Sequence, residues 1–106
     1  MVFVLSAVSF QVFNMIAKRY IVRGRVQGVG FRWFVEREAN AVGVSGWVRN
    51  NEDSTVELVA QGSDEQHMAL RAKLVEGPRA SRVDTVEETI VDVDTEAKQF
   101  RIEGAW

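Results

Sequence analysis

Between Arg19 and Val42 the apolar residues change their period, and the change is confined to four residues. Up to Val26 the chain alternates, with Tyr20, Val22, Gly24 and Val26 on one face and Ile21, Arg23 and Arg25 on the other. That is the pattern of a half-buried strand. From Phe31 onward, Phe31, Phe34, Val35, Ala39 and Val42 recur at spacings of three and four, which marks one face of a helix. Gly43 is placed to stop it. Only Gln27-Gly28-Val29-Gly30 separates the two, so the strand must turn directly into the helix.

The rest of the chain continues the theme. A second strand over Val44–Asn50, a polar turn Asn51-Glu52-Asp53-Ser54 and a third strand over Thr55–Gln61 predict a hairpin. Ser63-Asp64-Glu65-Gln66 has the form of a capping box, and it opens a second helix. Its stripe is His67, Leu70 and Leu74, flanked by Met68 and Val75, and Gly77-Pro78 ends it. Arg82–Val91 reads as a strand, and Lys98–Glu103 as a short closing strand with Phe100 and Ile102 facing one way. The order βαββαβ plus a final strand predicts an α+β fold, with two helices packed on one face of a largely antiparallel sheet. A chain of 106 residues holds one such core, and no repeat or linker divides it.

Residues 1–17 stand apart, because they carry no charge before Lys18 and Arg19. Three readings of this apolar extension stand side by side. It is the product of an upstream start, with Met15 the natural beginning; an added element packed on the domain or on a second copy; or a membrane or export segment. The last has against it the missing basic start and a length short of a membrane span. The domain itself is expected over 18–106, in the cytoplasm.

Composition narrows the chemistry. There is no cysteine, so disulfides, thiolate nucleophiles and cysteine metal sites are excluded, and His67 is the single histidine. A net charge of −2 gives no overall field toward nucleic acid or an acidic membrane. Catalysis is left to arginine, amides, carboxylates, hydroxyls and backbone N–H groups.

Within those limits the turn Gln27-Gly28-Val29-Gly30-Phe31-Arg32 is the most informative stretch. Glycines at a strand-to-helix junction let successive N–H groups converge, and the first helical turn adds unpaired donors and a partial positive charge. Such a loop can cradle a dianion. Arg32, on that first turn, adds a planar fork able to hold two oxygens of one phosphate. Eighteen residues later Gly46-Trp47-Val48-Arg49-Asn50 closes the second strand. The Asn50 carboxamide can accept from a water and donate to a phosphoryl oxygen. Each segment alone has an ordinary reading, as a turn with an exposed arginine and as an asparagine kept for turn geometry.

Together, VQGVGFR (26–32) and GWVRN (46–50), followed by Val56 and Gly62, resemble the two signatures of the acylphosphatase family over about Lys18 to Trp106. The resemblance implies a ferredoxin-like sandwich that hydrolyses acyl phosphates to carboxylate and inorganic phosphate. It implies that Arg32, with the N–H groups of Gln27, Gly28, Val29, Gly30 and Phe31, binds the phosphate and that Asn50 orients the hydrolytic water. No metal, cofactor or phosphoenzyme is implied. An RNA-binding module or a non-catalytic relative on the same fold is the alternative; the negative net charge and the absent basic-aromatic strand motif weigh against RNA.

One departure is visible. Four residues after the asparagine the family usually has glycine, where this chain has Ser54. The expectation is that Asp53 or Asn51 takes the left-handed conformation instead. Among the other candidates, His67 and Trp33 are expected to pack, and Trp47 to pack or to shield one side of the site. The acids from Glu87 to Asp94 are expected on a solvated strand edge, and the Trp106 carboxylate is a candidate partner for a basic residue. Lys18, Arg19, Arg23 and Arg25 are a candidate basic face drawing in anions.

Overall fold

The computed structural model describes residues 15–104. The readings of residues 1–14 and of Trp106 lie outside them. Seven elements follow one another: β1 (Ile16–Arg25), α1 (Phe31–Val42), β2 (Ser45–Asn50), β3 (Val56–Gly62), α2 (Asp64–Glu76), β4 (Arg82–Val91) and β5 (Phe100–Ile102). The five strands form one sheet in the order β4-β1-β3-β2-β5. β1 runs antiparallel to β3 and β4, β2 runs antiparallel to β3, and β5 joins parallel to β2.

Alternation decides which face the helices cover. Tyr20, Val22, Val48, Val56, Leu58 and Ala60 are all buried and meet Phe31, Phe34, Val35 and Ala39 of α1 and Leu70 and Leu74 of α2. Each aliphatic side chain so buried contributes roughly 1.5–3 kcal/mol. Both helix ends follow local chemistry. Gly43, at φ 85°, sends its N–H back to the carbonyls of Ala39 and Asn40, ending α1. At the start of α2 the Ser63 Oγ accepts from the Gln66 N–H while Gln66 Oε1 accepts from the Ser63 N–H. The other end of that Gln66 amide donates to Val42 O at 2.9 Å and ties the two helices together.

His67 is more than a packing residue at the boundary. It is buried, with Nδ1 2.7 Å from the Tyr20 hydroxyl and Nε2 2.7 Å from Ile16 O. A carbonyl can only accept, so Nε2 carries the proton and Nδ1 accepts from the tyrosine. Burial, foremost, holds the imidazole below its ordinary pKa and lifts that of Tyr20.

The topology sets up the site. β1 and β2 flank β3, both antiparallel to it, and therefore run in the same direction. Val56 of β3 pairs with Val22 on one side and with Asn50 on the other. The loop that leaves β1 and the residue that ends β2 thus emerge at the same end of the sheet. Among the described residues no helix is long and apolar enough to cross a membrane.

Candidate active site

After Val26 the chain passes through Gly28 at φ 73° and Gly30 at φ 76° and enters α1. These left-handed angles suit glycine, and an added Cβ at either position would meet nothing within 4 Å. Space is therefore not what excludes a side chain; the curl of the main chain is. Gly30 caps α1 without a side-chain hydrogen bond, and the first turn holds no acidic residue. The first helical bond runs from the Phe34 N–H to Gly30 O at 3.1 Å, which leaves the donors before it without an intrahelical acceptor.

Arg32 sits on that turn, half-buried. Among the described residues Arg25, Arg32 and Arg79 are the arginines that form no ion pair, and the other two are exposed. A partly buried guanidinium that no carboxylate neutralises keeps its charge for an anion. Arg32 and Asn50 line one concavity of about 240 Å³, together with Val26, Gly28, Gly30, Phe31 and Trp33. Asn50 is half-buried, with its amide oxygen shielded from solvent. Of the residues expected to hold phosphate, Gln27 and Val29 are not among these walls.

Gln27 instead does something the sequence did not signal. Its side-chain amide donates to Asn51 O at 2.8 Å and to Thr55 O at 2.9 Å, bracing the loop against the turn that follows Asn50. That turn is itself tightly bonded. The Asn51 N–H donates to Thr55 O, and the Asn51 side-chain amide donates to Thr55 Oγ1 at 3.1 Å. The Thr55 hydroxyl and N–H donate to Asp53 at 2.6 and 3.1 Å, and they hold its carboxyl below the usual range. The left-handed residue of the turn is Ser54, at φ 73°, and not Asp53 or Asn51. The bonds anchoring Asn51 and Asp53 to Thr55 account for this, because they leave the reversal to the residue between. The serine bears a strain of roughly 1 kcal/mol that glycine would not.

Three further expectations are corrected. Trp33 does not pack: it is 71% exposed and stands on the wall of the concavity. It follows Arg32 on the helix and lies opposite the stripe of Phe31, Phe34 and Val35, so the core cannot take it. Trp47 does not shield the site, since it shares the other face of β2 with Arg49, whose guanidinium lies 4.9 Å from its ring. The basic face is also dismantled. Lys18 pairs with Glu88, Arg19 with Glu57 and Arg23 with Glu87, which leaves Arg25 alone of the four without an ion pair among the described residues.

Comparison with known proteins agrees with this architecture. A family model described as acylphosphatase matches residues 18–102. An acylphosphatase of Koribacter versatilis is 54% identical over 89 residues, covering 84% of this chain and 81% of the relative. Among solved structures, an acylphosphatase from Coxiella burnetii superposes with a TM-score of 0.82 at 34% identity, covering 88% of this chain and 97% of its own. One from Bacillus subtilis superposes at 0.80 with 35% identity, covering 84% and 99%. With a match over most of its length and a relative more than half identical, the chain belongs to the acylphosphatase family, hydrolases of acyl phosphates.

Proposed function

We propose that Arg32 and the N–H groups of the 27–31 loop bind the phosphate of an acyl phosphate while Asn50 orients the water that attacks it, with no metal ion taking part. The observation that carries this reading is the shared concavity, where a half-buried arginine without an ion pair among the described residues and a carboxamide meet a helix start without a side-chain cap. Water attacks phosphorus, the bond from phosphorus to the bridging oxygen breaks, and the acyl group leaves as carboxylate. A carboxylate is a good leaving group, so the protein has little need to protonate it. What remains is positioning and charge stabilisation, which fixed donors supply without reorganising. Arg32 is the one ionisable side chain among the described lining residues, which therefore offer no side-chain base. In this reading the water's proton passes to a phosphoryl oxygen.

The same reading has the protein act in the cytoplasm on small molecules, without a nucleic-acid partner. The test is hydrolysis of acetyl phosphate in the presence of EDTA. Activity that survives the chelator and is lost in Arg32→Ala and Asn50→Ala is expected. Activity that EDTA abolishes, or that Arg32→Ala leaves intact, overturns the assignment. For residues 1–17, the solution mass of the full chain against a chain beginning at Met15 decides whether the extension pairs two copies.

A further inference from the structure

Tryptophan is among the residues with most to gain from burial, yet Trp33 is 71% exposed. Its place on α1 turns it away from the core, and among the described residues its ring makes no contact with another aromatic ring or a cation. No hydrogen bond engages its indole nitrogen there either. Nothing among the described residues accounts for the side chain. What it does touch is the concavity that also holds Arg32 and Asn50.

The division of labour inside that concavity is uneven. Gly28, Gly30 and Arg32 offer donors and charge, which suit the phosphate, and Asn50 offers an amide, which suits water. Val26, Phe31 and Trp33 are apolar, but Val26 and Phe31 are each only 1% exposed and face the core. Among the described residues Trp33 is thus the one large apolar surface at the site that a ligand can still cover.

Resting on the assignment of the phosphate to Arg32, we infer that Trp33 is a specificity residue, whose indole packs against the acyl group and favours acyl phosphates with a flat or bulky apolar acyl part over short aliphatic ones. The chemistry is that of ring stacking and apolar burial, which an aryl acyl group can exploit and an acetyl group hardly can. Because the indole adjoins the arginine on the same helical turn, phosphate capture by Arg32 brings the acyl end beside it.

The experiment compares kcat/KM for benzoyl phosphate and acetyl phosphate in the wild type, Trp33→Ala and Trp33→Phe. Differences in leaving-group chemistry cancel when the ratio of the two substrates is compared between variants. The expected result is a benzoyl-to-acetyl ratio that falls about two- to tenfold in Trp33→Ala and is largely restored in Trp33→Phe. The inhibition constant of inorganic phosphate, read in the same assays, should stay within about twofold in both variants. A ratio unchanged by Trp33→Ala overturns the inference while leaving the phosphate assignment standing. A ratio that falls together with a many-fold loss of phosphate inhibition also overturns it, because Trp33 then shapes the phosphate cradle. Wild-type protein that hydrolyses neither substrate defeats the underlying assignment, and the inference with it.

Discussion

The two helices of this protein begin in opposite ways. α2 starts on Ser63, whose side chain closes a reciprocal box with Gln66, and Asp64 and Glu65 in its first turn meet the positive end of the helix dipole. α1 starts on Gly30, with no side-chain cap and no acid, and places Arg32 where the other helix has carboxylates. The first start is satisfied from within and gains stability. The second leaves its first-turn donors without a side-chain cap and adds a positive charge beside them, a start that gains less stability and that, in the proposed reading, a bound anion answers.

That contrast can be attacked at several points. The largest effect belongs to Arg32→Ala, which should lower kcat/KM for acetyl phosphate at least about 10²–10³-fold, while thermal denaturation shifts little. Asn50→Ala should fall in the same range, but mainly in kcat, with phosphate inhibition retained. Gln27→Ala, which removes the brace between the two halves of the site, should lower kcat by about tenfold and disturb KM less; equal effects on both would mean that the loop itself collapses. Ser63→Ala should behave in the opposite sense, losing about 1 kcal/mol in chemical denaturation with full activity.

The smallest effect concerns pH. Burial keeps the pKa of folded His67 below its ordinary 6.5, so the unfolded chain takes up its proton first as pH falls. Stability from this group is complete above that value and is lost as the solution becomes more acidic toward the folded pKa. Denaturation midpoints measured between pH 7.5 and 5 should decline, and more steeply in the wild type than in His67→Gln.

Elements were readable where local pattern and tertiary need coincide. The capping box announced α2, and β4 spans Arg82–Val91, the stretch read as a strand. The stripe of His67, Leu70 and Leu74 is the buried one. At the site, the pairing of a glycine loop with a distant asparagine was legible through two motifs whose strands run the same way on either side of β3. What stayed hidden depends on contacts between segments far apart in sequence. Gln27 reaches a turn 24 and 28 residues away, and no local pattern encodes that reach. The ion pairs of Lys18 with Glu88 and Arg23 with Glu87 arise from the pairing of β1 with β4, and they neutralise what looked like a basic face. Trp33 misled for another reason, since tryptophan is usually buried and only the helical stripe beside it showed that this one faces out.

The most direct test is a titration of the ¹⁵N-labelled protein with inorganic phosphate, followed by amide NMR. The account predicts that the N–H signals of residues 28–32 move in a saturable way, that those of 63–66 stay still, and that the response disappears in Arg32→Ala. Signals that move equally at both helix starts, or a response that survives Arg32→Ala, would contradict it.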